Sequence, residues 1–155
     1  MQRVVILGRG GAGKSIAARK LGERTGLPVI ELDKHFWGPD LTPTPKAAWA
    51  RTQAGLAAGD RWIMDGDLGP CDVLEVRLAR ADTVLLLDFS FLRCAWRAAR
   101  RSKERADFWW WVVAWPWSSR PKLMRAIVDH AREARVRVLR SPRDLDRFID
   151  GVSQD

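Results

Sequence analysis

A chain of 155 residues, 46% hydrophobic and 30% charged, is expected to form one globular domain, and its 12 glycines and 8 prolines are too few for a disordered or collagen-like chain. The 27 Lys+Arg against 19 Asp+Glu leave a formal charge of +8, and no apolar stretch reaches the ~18 to 20 residues that cross a bilayer. Cys71 and Cys94 exclude a disulfide scaffold and lack metal-site spacing, and the start MQRVVILGRGGAGKS lacks the design of a secretory signal, so a cytoplasmic protein with reduced thiols is expected.

Short apolar runs alternate with longer amphipathic stretches, the pattern of strands joined by crossover helices. In chain order the reading gives a strand at Arg3 to Leu7, a helix at Lys14 to Thr25 and a strand at Pro28 to Leu32. The proline- and glycine-rich stretch Gly38 to Pro45 reads as a loop. A helix at Pro45 to Ala58, a strand at Trp62 to Met64, a loop at Gly66 to Pro70 and a helix at Val73 to Ala81 follow. A strand at Thr83 to Leu87 leads to a helix at Leu92 to Arg105, another at Pro121 to Ala134, a strand at Arg135 to Leu139 and a last helix near Pro142 to Ile149. Right-handed crossovers make this a three-layer α/β domain with its ligand site at the carboxyl ends of parallel strands.

The strongest local signal is Gly8-Arg9-Gly10-Gly11-Ala12-Gly13-Lys14-Ser15, which fits G-x-x-x-x-G-K-[ST] at every fixed position. It sits where phosphate binding requires it, between an apolar strand and the start of a helix whose dipole favours anions. Gly8, Gly10, Gly11, Ala12 and Gly13 would wrap phosphates with backbone N–H groups. Lys14 would reach the β and γ phosphates of ATP, and Ser15 would ligate Mg²⁺. A phosphate loop also needs a carboxylate near the metal at the end of a strand beside the first. Asp88, closing TVLLLD, is the candidate, directly or through a water, with a helix cap as its other role. No Asn-Lys-x-Asp sequence follows any strand, which disfavours a GTPase.

Charge is uneven. Phe89 to Arg147 holds 15 Lys+Arg and 6 Asp+Glu, so the positive field belongs to the second half. Such a field suits nucleoside phosphates, polyanions or acidic membranes, or is simply solvated helix surface. Residues 108–117, FWWWVVAWPW, carry more rings than one helix face buries. A core or homodimer contact, a lid over an apolar acceptor, and an interfacial anchor helped by Arg120, Lys122 and Arg125 compete as readings.

The motifs GRGGAGKS, ELDKHFW, DRWIMDGD, ADTVLLLDF, WRAARRS and LRSPRDLDRFI, in this order and spacing, resemble the small P-loop kinases of the adenylate kinase and shikimate kinase type. Most similar are the adenylate-kinase-like DNA topology modulation proteins of the FlaR type. The resemblance implies a P-loop NTPase fold with a five-stranded parallel sheet in the order 2-3-1-4-5, an acceptor-binding region near residues 33–60 and a lid near 100–120. It also implies that Arg140 and Pro142, in Arg140-Ser141-Pro142-Arg143, lie where adenine is wrapped; a helix-capping turn is the alternative there. The chain departs from adenylate kinases after strand three, where Asp65-Gly66-Asp67-Leu68-Gly69 replaces Asp-Gly-Phe-Pro-Arg and the phosphate-gripping arginine is missing.

Asp33 follows strand two, where the resemblance implies a carboxylate beside the acceptor hydroxyl that orients it and accepts its proton; a cap is the competing role. Asp65 and Asp67 would shape the same pocket or form an Asx turn around Gly66. Glu31 shares Asp33's face of the strand, and Phe36 and Trp37 either stack on an acceptor or pack in the core. Arg97, Arg100 or Arg101, and Arg105 recur along one helix face, with Arg97 and Arg101 the first choices to stabilise the transferring phosphoryl group. The function expected is ATP- and Mg²⁺-dependent phosphoryl transfer to a small acceptor: a hydroxylated metabolite, a nucleoside or a nucleotide. The alternative is an NTP-binding regulatory or DNA-associated protein with slow hydrolysis. Nucleic acid is not favoured as a partner, since no recognised DNA-binding motif is present.

Overall fold

The computed structural model describes residues 1–38, 40–101 and 106–152, and their side chains except at 70 and 97–116. Five strands form one sheet: β1 (Arg3–Gly8), β2 (Val29–Glu31), β3 (Trp62–Asp65), β4 (Thr83–Leu87) and β5 (Arg135–Leu139). All neighbouring pairs are parallel and the order is β2-β3-β1-β4-β5, as the resemblance implied. The central position of β1 explains its unbroken apolar run: Val4, Val5, Ile6 and Leu7 are wholly buried, because helices cover both faces of the sheet.

Those helices are α1 (Lys14–Thr25), α2 (Asp33–Phe36), α3 (Lys46–Ala57), α4 (Leu74–Leu78), α5 (Phe91–Arg101), α6 (Ala106–His130) and α7 (Pro142–Asp150). On one face Val5, Leu7, Met64, Val84 and Leu86 meet Trp49 of α3, Leu78 of α4 and Leu123 and Ile127 of α6. On the other, Val4, Ile6, Ile63, Leu85 and Leu87 meet Ala17, Ala18 and Leu21 of α1 and Leu145 and Ile149 of α7. The alternation of strand residues between two cores is the period-2 geometry of a pleated strand.

Three local features differ from the sequence reading. Helix α6 begins at Ala106 rather than Pro121 and passes through Pro116 and Pro121. Proline lacks the N–H for the helical ladder and suits a first turn, so local chemistry alone places a start at Pro121. A short helix, α2, follows β2 directly, and the loop at Gly66 to Pro70 ends in a 3₁₀ turn, Gly69–Cys71.

Candidate active site

Strand β1 delivers the chain to Gly8 at φ 149°, where a Cβ would lie 2.6 Å from the Leu87 carbonyl oxygen. Gly11, at φ 78°, presses against the first turn of α5: a Cβ there would lie 2.5 Å from the Cys94 oxygen. Only glycine satisfies both the backbone angle and the approach. Arg9, between them, is buried, with its guanidinium 5.6 Å above the Phe91 ring, so the loop rests on α5 at two points. Helix α1 then starts at Lys14 with Gly13 as its cap and no side-chain hydrogen bond at that cap. Its first-turn N–H groups therefore face the loop cavity without a side-chain partner, the arrangement that binds anions. Lys14 Nζ donates to the Gly8 carbonyl at 3.0 Å and to that of Arg9 at 3.5 Å, lying across the loop that would cradle phosphates.

Asp65 closes β3 beside β1, in register with Ile6, and is 4% exposed. Burial pushes its carboxyl above the ordinary range, opposed by a hydrogen bond with Ser15 and by the charge of Lys14. Its Oδ1 is buried without a hydrogen-bond partner. A carboxylate and a hydroxyl side by side, with one oxygen left over, are hard donors suited to Mg²⁺. Asp88 lies elsewhere in the network: its Oδ2 accepts from Arg120 Nε at 3.0 Å, tying β4 to α6. Among the described residues no three His, Cys, Asp or Glu side chains converge as a metal cage.

Asp33 opens α2, exposed at the rim of the site. Partial desolvation and the like charges of Asp72, Glu31 and Asp67 push its carboxyl up, with Lys14 acting the other way. Glu31 is paired with Lys34 at 2.9 Å. Phe36 is core, edge-on to both Trp37 and Trp49, while Trp37 is 44% exposed. Asp67 forms the Asx turn, its Oδ1 accepting the Gly69 N–H at 3.0 Å.

One cluster escaped sequence reading. Arg77, fully buried on α4, donates to both oxygens of Asp72 at 2.8 and 2.7 Å, to Gln53 Oε1 at 3.1 Å and to the Gly66 carbonyl at 2.9 Å. Asp72 accepts from the Val73 N–H as well. Desolvation raises the Asp72 carboxyl, and the charge and hydrogen bonds of Arg77 outweigh it, leaving it below the usual carboxylate range. The network fixes the connection from β3 to α4, which carries Asp67. That connection, α4 and α6 line an open cavity of about 390 Å³, to which they contribute Asp67 and Asp72, Glu75, and Ser119 and Lys122 respectively.

At the carboxyl end of β5, Ser141 caps α7 by accepting the Asp144 N–H, and Asp144 Oδ2 accepts the Arg140 N–H. This is a capping box, with Pro142 in the first turn. Arg97 and Arg101 fall on α5, but their side chains, Arg100's and the rings of residues 108–116 lie outside the described residues, as does Arg105 altogether. Trp117 is described and is 79% exposed. No helix among the described residues is long and apolar enough to cross a membrane.

No family model matches the chain, and no curated protein matches it in sequence. Among solved structures it is similar to an unliganded sugar kinase from Janibacter sp., with 18% identity over 97% of this chain and 93% of that one and a TM-score of 0.58. It is similar also to shikimate kinase from Bacteroides thetaiotaomicron, with 12% identity over 96% and 94% and a TM-score of 0.60. Deoxyadenosine kinase from M. mycoides with bound dATP gives 10% identity over 95% and 97% and a TM-score of 0.55. At these identities the likeness establishes the fold, a five-stranded parallel sheet in the order 2-3-1-4-5 flanked by helices, which the chain shares with these kinases.

Proposed function

We propose that the chain is an ATP- and Mg²⁺-dependent kinase that phosphorylates a hydroxyl group of a small molecule. The observation that carries this reading is the meeting of three parts at one end of the sheet. They are a phosphate loop with Lys14 across it, Ser15 against the buried Asp65, and Asp33 within the field of Lys14. The bound dATP of the deoxyadenosine kinase supports a nucleotide donor on this fold. Ser15 and Asp65 would hold the magnesium ion, which neutralises developing phosphate charge when bound. This moves the metal's carboxylate from Asp88 to Asp65, because Asp65 faces the serine and Asp88 faces Arg120. Loop amides from Gly8 to Ser15 bind and orient the donor phosphates. Asp33 orients the acceptor hydroxyl and takes its proton, a role helped by its raised affinity for protons. Arg97 and Arg101 of α5 are assigned to the transferring phosphoryl group, Arg140 and Pro142 to the edge of the adenine, residues 33–60 to the acceptor region and 100–120 to the lid.

Mg-ATP offered with a mixture of cellular metabolites tests the reading through ADP release. Wild-type protein is expected to release ADP faster when the mixture is present. Lys14→Ala is expected to lose that release while keeping its melting temperature, since Lys14 opens α1 outside the hydrophobic core and alanine suits a helix. Undiminished turnover in Lys14→Ala refutes the kinase reading.

A second reading has one observation in its favour: Arg132, Arg135, Arg137, Arg140 and Arg143 are all exposed around β5, a surface suited to a polyanion. Duplex DNA binding with a steep salt dependence would support that regulatory reading.

A further inference from the structure

Strand β5 is the last in the sheet and pairs with β4 alone. The Arg135 N–H donates to the Asp82 carbonyl, and the Leu139 carbonyl accepts from the Asp88 N–H, so residues 135, 137 and 139 turn their backbone toward β4. Successive residues of a strand turn their backbone groups to opposite sides, which leaves the N–H and C=O of Val136 and Val138 on the outer edge. No described residue bonds to them. An open edge of this kind is a template for one more strand.

Side chains give that edge a pattern. Register with β4 sets Arg135 and Arg137 on the face of Thr83 and Leu85, and Val136 and Val138 on the face of Val84 and Leu86. All four of these β5 residues are exposed, whereas their four β4 neighbours are buried, so the helices that cover the sheet stop short of its last strand. Arg132 precedes the strand and Arg140 and Arg143 follow it, all exposed. None of these five guanidinium groups is paired with a carboxylate among the described residues, and Glu133 is the single acidic residue from 132 to 143.

We infer that β5 receives, as an added strand, an extended segment of another protein in which acidic residues alternate with apolar ones. The added backbone pairs with Val136 and Val138, its acidic side chains lie beside Arg135 and Arg137, and its apolar ones cover the two valines. Charge selects this occupant over two others. A second copy of the chain, pairing β5 with β5, sets arginines beside arginines, and like charges facing each other across strands are destabilising. A nucleic acid satisfies the arginines but leaves the valines uncovered and offers no row of donors and acceptors to match a strand edge. This surface is independent of the kinase reading and stands or falls without it.

A fluorescein-labelled peptide of alternating Glu and Val, titrated with the whole chain and followed by anisotropy, tests this. Saturable binding is expected, weakened by salt and at least about tenfold tighter than that of a peptide with the same composition arranged in two blocks. Bound peptide should slow hydrogen exchange at the Val136 and Val138 amides, which separates strand pairing from charge attraction. Arg135→Glu combined with Arg137→Glu should raise Kd at least about fivefold. Val138→Pro, which removes an outward N–H and leaves the β4 ladder intact, should raise it about fivefold. Arg51→Glu, an exposed arginine outside this surface, should change Kd less than about twofold. Thermal melts show which variants are folded; if Val138→Pro is not, the double variant and the exchange measurement decide. Equal binding of the block peptide, unchanged exchange at the two amides, or a double variant that binds as well as the wild type overturns the inference. So does a DNA duplex that binds more tightly than the peptide, which assigns the arginines to nucleic acid. Absence of saturable peptide binding overturns it as well and leaves the arginines as guards against self-pairing.

Discussion

Replacing Arg77 with methionine tests whether the connection bearing Asp67 is held by one buried cation. Methionine fills much of the arginine's volume but removes four hydrogen bonds, two of them to Asp72. The Asp72 side chain, 5% exposed, is then a buried charge facing no cation. Breaking a buried pair from one side costs about 3–5 kcal/mol, and at about 2–4 °C per kcal/mol for a chain of this size the melting temperature should fall roughly 6–20 °C. The pH dependence carries the sharper signature. In the wild type the Asp72 carboxyl is held low, so its stabilising contribution is complete above the ordinary aspartate value near ~3.9 and disappears as pH falls through the lowered one. In Arg77→Met the hydrogen bonds from Gln53 and the Val73 N–H remain but the charge and hydrogen bonds of Arg77 no longer oppose desolvation, so Asp72 protonates at higher pH and sheds its penalty earlier. The stability gap between the two proteins should accordingly be largest near neutrality and shrink as pH falls toward ~4. Adding Asp72→Asn should restore a large part of the loss, because no buried charge then remains. Thermal unfolding followed by circular dichroism at several pH values measures all three. A loss below about 1 kcal/mol, or a gap indifferent to pH, would refute the account of this network.

Asp65→Asn should raise the Mg²⁺ concentration needed for half-maximal turnover while leaving the melting temperature near or above the wild-type value, since it removes a buried charge; a magnesium titration checks this. Asp33→Asn should lower the transfer rate about 10²- to 10⁴-fold with ATP affinity held, and a change of only a few-fold in single-turnover assays would reduce Asp33 to a rim residue. Gly11→Ala should lower the melting temperature and weaken nucleotide binding together, because the new methyl meets the Cys94 carbonyl at a left-handed backbone angle that costs roughly 1–2 kcal/mol by itself. Calorimetric titration with an ATP analogue beside a thermal melt would show whether the two losses travel together.

The elements readable in advance were those whose causes are local. VVIL followed by a glycine loop specifies both the end of β1 and the start of α1 at Lys14, and α1 runs Lys14–Thr25 as read. β4 and β5 likewise occupy the residues assigned to them. What was not readable depends on partners distant in sequence. Asp65 and Asp88 each follow an apolar strand flanking β1, so both satisfy the rule for a carboxylate near the phosphate loop. We prefer Asp65 because Arg120, 32 residues after Asp88, engages the Asp88 carboxylate, while Asp65 leans on Ser15. Arg77 lies in a short amphipathic stretch where an arginine ordinarily reaches solvent, and only Gln53 on α3, Asp72 and the Gly66 carbonyl make its burial tenable. The start of α6 was misplaced because Pro121 matches a first-turn residue by its own chemistry, and nothing local shows that the helix precedes it.

The contact between the phosphate loop and α5 divides that helix mechanically. Its first turn is seated: Phe91 lies beneath the Arg9 guanidinium, Cys94 is buried, and its carbonyl leaves no room for a methyl at Gly11. A helix seated at one end cannot slide along the sheet without deforming the loop. The shape of the glycine loop therefore sets the point and the angle at which α5 leaves the sheet.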